Sequence, residues 1–173
     1  AGAKDIVNNG HTVQVNYAPG SLLIVQNRFF QLSQFHFHAP SENRIGGRSY
    51  PLEAHLVHVD GHGNIAVMAL MFSEGAPNAF LASIWARMPA QSGAKADLPA
   101  GLNVLQMMPT LRSYYRYNGS LTTPPCSETV HWTVMASPQT ASADQIAAFS
   151  AMFPLNARPV QPLNRRYVLK TSG

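Results

Sequence analysis

The chain has 173 residues, which fits one domain, because a typical domain spans about 100–200 residues. Hydrophobic types make up 46% of it and charged residues only 12%, a composition that excludes a disordered chain. The longest apolar runs, such as 65–72, are far shorter than the roughly 20 residues needed to cross a bilayer, so no membrane span is expected. The net charge is +4, but the basic residues are scattered, and nucleic-acid binding would need a clustered basic stripe.

Short alternating segments separated by Gly, Pro and Asn predict a sheet-dominated chain. In chain order, the predicted strands are 12–17, 21–25, 28–32, 34–38, 53–59 and 65–72. Gln26 and Asn27 mark a turn between the second and third of these strands, and residues 60–64 form a strong turn signal before the last.

Two stretches predict helices. Apolar residues from Phe80 to Met88 recur at intervals of three and four until Pro89 ends the pattern. Ser142 and Gln145 resemble a capping box that opens a second helix. Segments 90–110 and 154–164 are rich in Pro, Gly and Asn and are expected to be ordered loops. The sequence therefore predicts one mainly β domain with a few short helices, of the α+β class.

The strongest chemical feature is the alternation of histidines in residues 34–38. On a strand, alternate side chains share a face, so His36 and His38 point together. His55 lies on the next predicted strand, on the same face as Glu53. If the two strands are neighbours, the three imidazoles form a site with an open fourth position, the arrangement of catalytic zinc. Glu53 could then accept the second N–H of His55 and fix its tautomer.

Two other interpretations of these histidines remain open at this point. His-x-His pairs also occur as packed or surface histidines without a metal. His36, His38 and Glu42 also resemble the first metal motif of the cupins, a different all-β class. The glycines that flank the cupin motif are replaced here by Phe30 and Ser49, and no downstream Gly-rich strand offers a further ligand histidine.

Four segments, taken in order, resemble the α-class carbonic anhydrases. They are Asn8-Asn9-Gly10-His11, Gln34-Phe35-His36-Phe37-His38, Glu53-Ala54-His55-Leu56-Val57-His58 and Asn156-Ala157-Arg158-Pro159-Val160-Gln161-Pro162-Leu163-Asn164, joined by Gly119-Ser120-Leu121-Thr122-Thr123-Pro124-Pro125. The resemblance extends from about Val7 to Val168, and Ala39-Pro40-Ser41-Glu42-Asn43 is similar to the bacterial form. It implies a single domain, 1–173, on a large, twisted and mostly antiparallel central sheet.

The resemblance implies a zinc enzyme that hydrates carbon dioxide reversibly to bicarbonate and a proton. The zinc ligands would be His36, His38 and His55. Thr122 would accept a hydrogen bond from the attacking hydroxide and pass its own proton toward Glu42. Residues next to the ligands would be Gln34 for His36, Glu53 for His55, Asn156 for His38 and Tyr117 near Glu42. The apolar substrate pocket would consist of Val57, Val67, Leu121 and Trp132.

The resemblance also implies how the proton leaves and what else binds. His11 would be the proton shuttle, and the ordered water chain would be held by Asn9, Gln14 and Thr123. Sulfonamides and small anions would inhibit, and a homodimer is a further expectation from bacterial relatives. A non-catalytic binding module of the same fold is the alternative function, although such relatives usually lose a zinc histidine.

The chain departs from the family at its start. Family members usually carry about fifty or more residues before the His11 motif, and these are absent from this sequence. In bacterial members with Pro-Pro-Cys, the cysteine usually pairs with one in that segment. Cys126, the one cysteine of the chain, is therefore expected to be half of a disulfide, and the protein to be periplasmic or secreted.

Overall fold

Residues 1–171 are described by a computed structural model and contain eleven strands and two short α-helices. The strands are β1 Ala3–Asn8, β2 Val13–Tyr17, β3 Leu22–Val25, β4 Arg28–His38, β5 Leu52–Val59, β6 Ile65–Glu74, β7 Lys95–Asp97, β8 Tyr114–Gly119, β9 Val130–Met135, β10 Gln139–Ala141 and β11 Leu169–Lys170. The helices are α1 Ala79–Trp85 and α2 Ala143–Met152, and a short 3₁₀ helix spans Val104–Met107.

All eleven strands belong to one sheet, whose main order is β11-β8-β9-β6-β5-β4-β2-β1-β7. β3 pairs with β4, and β10 pairs with β6. Every pairing is antiparallel except those of β6 with β9 and with β10. The predicted fold class, a single domain on a large and mostly antiparallel sheet, is confirmed.

One face of the sheet carries the main hydrophobic core. Phe35 and Phe37 of β4 are fully buried there and pack against α1 and α2. The Phe37 ring lies 4.8 Å from Trp85, and the Phe35 ring lies 6.0 Å from Phe80. The opposite face of the same strands carries the polar residues of the candidate site.

The predicted capping box of α2 is confirmed. The Ser142 hydroxyl accepts from the Gln145 backbone N–H, and the Gln145 side chain reaches back to the Ser142 N–H. Gln145 also bonds to the backbone of Asn78, the N-cap of α1, and so ties the two helices together. α1 ends at Trp85, one turn before the predicted end, because residues 86 and 87 continue only as turns and residue 88 is in no regular structure.

Two predicted strands, 28–32 and 34–38, are one strand, β4. Its pairing with β5 is irregular between Leu32 and Gln34, where Ser33 is the extra residue. A bulge of this kind resets the alternation of faces, so Leu32 and Phe35 both point to the core although they are three residues apart. The interrupted alternation is the reason that the sequence pattern indicated two strands.

Segment 90–110, predicted to be loop, contains β7 and the 3₁₀ helix, so that prediction is wrong in part. β7 pairs with β1 at the edge of the sheet, and such long-range pairing leaves no alternation in so short a segment. Segment 154–164 contains no helix or strand, as predicted. Within residues 1–171, neither helix is long and apolar enough to span a membrane.

Candidate metal centre

Three histidines converge on the polar face of the sheet. The antiparallel register of β4 and β5 places His36 directly opposite His55 and His38 opposite Glu53. One ring nitrogen of each histidine lies within 4.8 Å of the corresponding nitrogen of the other two. The ring centroids are 4.5 to 5.4 Å apart. The structure therefore brings the three proposed ligands to one point.

In each of the three histidines, the ring nitrogen that points away from the other two rings faces an oxygen acceptor. This contact fixes which nitrogen carries the hydrogen. His36 Nδ1 lies 2.9 Å from Gln34 Oε1, and His38 Nδ1 lies 3.1 Å from the backbone carbonyl of Asn156. His55 Nε2 lies 2.9 Å from Glu53 Oε1. Since carbonyl and carboxylate oxygens only accept, these nitrogens carry the hydrogens. The free lone pairs are then on Nε2 of His36 and His38 and on Nδ1 of His55.

These lone pairs suit a zinc ion. His38 Nε2 is buried and has no hydrogen-bond partner within residues 1–171, a condition that a metal ion would satisfy. Burial, together with the neighbouring histidines, lowers the pKa of His36 well below its usual value and that of His38 to about 3. Both rings are therefore neutral, as ligands must be. When His55 gives up its proton to the metal site as well, the three imidazoles fit zinc with one coordination position left open.

Glu53 anchors the third histidine. Its carboxylate is fully buried, yet it accepts hydrogen bonds from the backbone N–H groups of Glu42 and Asn43, from the Asn43 amide and from His55. Burial works to raise the pKa of Glu53, but His55 and these donors outweigh it and lower the pKa. Burial by itself would lower the pKa of His55. The negative charges of Glu53 and Glu42 outweigh burial, so the pKa of His55 is raised.

Glu42 lies beside two of the three histidines, His38 and His55. Its Oε1 accepts the backbone N–H of Arg158 at 2.7 Å, while its Oε2 is buried without a hydrogen-bond partner in the described residues. The nearby Thr122 hydroxyl works to lower the pKa of Glu42, although Glu42 Oε2 does not meet it at normal hydrogen-bonding geometry. Burial nevertheless raises the pKa of Glu42. Glu42 Oε2 is therefore an acceptor available to a nearby hydroxyl.

An apolar wall adjoins the histidines. Val57, Val67 and Trp132 lie opposite one another across β5, β6 and β9, and they pack in one cluster that Leu121 also contacts. The Trp132 ring lies edge-on to His55 at 4.8 Å, and its Nε1–H donates to the carbonyl of Ser120. The structure thus brings all four predicted pocket residues together beside the third histidine.

The residues predicted to move the proton lie toward the surface. His11 is exposed, and its carbonyl accepts from the Asn156 amide. Asn9 uses its side-chain oxygen to accept the backbone N–H groups of His11 and Thr12, and Gln14 donates to Asn16. On β2, Gln14 lies directly opposite His36 of β4, and Thr123 is exposed.

Asn156 contacts His38 through its backbone carbonyl, whereas its side chain holds the backbone of β4.

Two contributors were not singled out from the sequence. Asn43 donates to Glu53 from both its backbone and its side chain, and it accepts from Tyr117. Arg158 holds Glu42 through its backbone N–H. A backbone donor leaves no signal in residue type. Asn43 could have been suspected only because it follows Glu42 directly.

Cys126 is a half-buried free thiol. The chain has no second cysteine, so the expected disulfide finds no support within it. Its pairing stays a prediction.

Comparison with known proteins agrees with this geometry. A family model described as eukaryotic-type carbonic anhydrase matches residues 1–172. A carbonic anhydrase of Pectobacterium carotovorum is 49% identical over 98% of this chain and 70% of its own length.

Two solved structures extend the comparison. A hyperthermostable carbonic anhydrase from a hydrothermal vent chimney superposes with a TM-score of 0.96 at 47% identity, over 99% of this chain and 77% of its own. The α-carbonic anhydrase of Thermovibrio ammonificans, solved with the inhibitor sulfanilamide, superposes with a TM-score of 0.94 at 46% identity. The match covers 96% of this chain and 74% of the other. The cupin interpretation is therefore wrong: the chain belongs to the α-carbonic anhydrase family.

Proposed function

We propose that the protein hydrates carbon dioxide to bicarbonate and a proton, with a zinc ion held by His36, His38 and His55. The observation that carries the proposal is the convergence of three lone pairs, each fixed by an oxygen acceptor on the far side of its ring. When bound, zinc lowers the pKa of a water ligand to about 7 and so supplies a nucleophile at neutral pH, an effect for which carbonic anhydrases are themselves the reference example.

Thr122 and Glu42 select the orientation of the nucleophile. Glu42 Oε2 has no other hydrogen-bond partner in the described residues and can accept the Thr122 hydroxyl hydrogen. The Thr122 oxygen is then left with lone pairs only, so it accepts a hydrogen bond from the nucleophile. Arg158 holds the other oxygen of Glu42 in place. This pair aims one nucleophile lone pair at the substrate carbon.

The wall of Val57, Val67, Leu121 and Trp132 suits carbon dioxide, which is apolar and uncharged. Such a wall gives bicarbonate few hydrogen bonds, so the charged product leaves in exchange for water. His11 exports the proton, because its exposed imidazole ring can take up a proton and pass it to buffer.

The decisive experiment measures zinc content and hydration rate in one sample, for the wild type, Thr122→Ala and Thr122→Ser. We expect one zinc per chain in all three. Thr122→Ala should lose roughly 100-fold or more in kcat/KM, in the range for removal of one preorganised hydrogen-bonding group, while Thr122→Ser keeps its hydroxyl and most of the activity. Zinc without hydration in the wild type would favour the alternative function, a non-catalytic binding module.

Sulfonamide binding gives a second test. Sulfanilamide is the inhibitor in the Thermovibrio ammonificans structure. We propose that it binds to this protein at the zinc ion held by His36, His38 and His55. Micromolar binding to the zinc-loaded protein, lost when zinc is removed and restored when it returns, is the expected result. Indifference of the zinc-loaded protein to millimolar sulfanilamide would count against this site.

The cellular location, the disulfide of Cys126 and the oligomeric state are further proposals, which rest on the similarity of the motifs to those of bacterial family members. We propose a periplasmic or secreted protein in which Cys126 forms a disulfide, and a homodimer. Fractionation of the source cells, thiol titration of natural material with and without reductant, and sedimentation equilibrium test the three separately.

A further inference from the structure

Glu53 receives more hydrogen bonds from Asn43 than from the ligand that it orients. Its Oε1 accepts from His55 Nε2 at 2.9 Å and from Asn43 Nδ2 at 2.6 Å, while its Oε2 accepts the Asn43 backbone N–H at 2.9 Å. Asn43 therefore helps to decide where the carboxylate lies. The position of the carboxylate in turn decides where Nδ1 of His55 points.

The orientation of the Asn43 amide is fixed from its other end. The Tyr117 hydroxyl donates to Asn43 Oδ1 at 2.8 Å. A flipped amide would place its oxygen against the Glu53 carboxylate, losing the hydrogen bond to Glu53, and would leave the phenol hydrogen without its acceptor. Tyr117 thus keeps the donor side of Asn43 turned toward Glu53.

Tyr117 is itself held rigidly. Its ring stacks on Trp132 with an interplanar angle of 5° and a centroid distance of 6.0 Å, and the Arg166 guanidinium lies 5.6 Å from the Tyr117 ring centroid. Gly119 makes this packing possible, because a Cβ there would come within 2.8 Å of Trp132 and 2.9 Å of Tyr117. The phenol oxygen therefore has one well-defined position.

We propose that Asn43 and Tyr117 are positioning residues for zinc: the chain of hydrogen bonds from Tyr117 through Asn43 and Glu53 to His55 sets how firmly the third ligand holds the ion. This inference rests on the proposed zinc site. Removal of groups that support metal ligands commonly costs about 10- to 100-fold in affinity, a range to which carbonic anhydrases themselves contributed.

The test compares Tyr117→Phe with Tyr115→Phe. Both lose one phenol oxygen from the same face of β8, but the Tyr115 hydroxyl makes no side-chain hydrogen bond within residues 1–171, and its ring lies under Lys170. Zinc dissociation into excess chelator is timed for each zinc-loaded protein, and the thermal midpoint is measured for each metal-free protein. We expect Tyr117→Phe to release zinc about tenfold faster, with Tyr115→Phe at the wild-type rate.

A double-mutant cycle tests whether the two residues act in one chain. Asn43→Ala alone should release zinc faster than Tyr117→Phe, and adding Tyr117→Phe to it should change the rate no further. Equal rates for the wild type and Tyr117→Phe, equal effects of the two Tyr→Phe changes, or multiplicative effects in the double variant would each overturn the inference. A wild type that retains no zinc would overturn the proposed function and this inference with it.

Discussion

The two faces of β4 and β5 use the same backbone for opposite purposes. On one face, Phe35 and Phe37 are fully buried among apolar side chains and need no directional partner. On the other, His38 and His55 are almost as deeply buried, but every ring has a specific hydrogen bond. The first face stabilises the fold through area removed from water, and the second depends on fixed oxygen and nitrogen positions.

The comparison shows how a sheet separates stability from chemistry. A substitution that changes the shape of a core-face side chain should mainly lower the free energy of unfolding. A substitution that changes even one atom of a site-face side chain should lower zinc binding or activity. Substitutions at neighbouring positions, which point to opposite faces, should therefore have separable effects.

The largest effect is expected from His55→Ala. Two imidazoles do not complete a catalytic zinc set, so we expect zinc retention and hydration activity to be lost together. The matched control is His58→Asn, three residues along on the core face, which should keep one zinc per chain. Zinc per chain after dialysis against chelator is the measurement. Stoichiometric zinc in His55→Ala would show that the third ligand is misassigned.

The converse change is Phe35→Ala. This ring is fully buried and packs near Tyr17, Phe37 and Phe80. We expect the free energy of unfolding to fall by about 3–5 kcal/mol, the usual cost of removing a buried phenyl ring. The folded fraction should keep zinc and kcat/KM close to wild type. Denaturant titration measures the first quantity, and a loss of zinc at unchanged stability would contradict the separation of faces.

A smaller effect on the core face depends on pH. His58 is buried and donates from Nδ1 to the Leu56 carbonyl, and burial lowers its pKa from 6.5 to about 4. Between these values the unfolded chain binds the extra proton, so stability rises with pH through this window and is lost as pH falls. The full difference is about 3 kcal/mol, since one pKa unit is about 1.4 kcal/mol.

His58→Asn keeps an amide donor for Leu56 but does not titrate. Its unfolding free energy should therefore fall less than that of the wild type between pH 7 and pH 4.5, as measured by urea titration at each pH. Parallel pH profiles for the two proteins would show that His58 is not the source of the acid sensitivity.

The smallest effect concerns His11, an exposed residue in the connection between β1 and β2. Proton export follows the attack on carbon dioxide, so His11→Ala should lower kcat in dilute buffer by about tenfold and leave kcat/KM nearly unchanged. Imidazole buffers should restore kcat by carrying the proton. Stopped-flow hydration across buffer concentrations distinguishes this from a structural effect, which would lower both parameters. No change in either would rule out the shuttle role.

The sequence by itself determined the features that depend on neighbouring residues. Alternation along β4 placed His36 and His38 on one face, and the capping box of α2 was readable from Ser142 and Gln145. Such features follow from the period of a strand or from one helical turn, which residue types within a few positions decide.

Local residue patterns do not predict contacts made across long separations. Asn156 and Trp132 were expected at the site only from the family resemblance, and the tertiary structure alone decided which of their atoms reach it. The carbonyl that fixes His38 belongs to Asn156, 118 residues away, and the parallel pairing of β6 with β9 brings Trp132 to the apolar wall. The bulge at Ser33 and the edge strand β7 were likewise invisible in the pattern. Backbone carbonyls and N–H groups are the same in every residue, so their use as acceptors and donors for a site is set by where the folded chain places them.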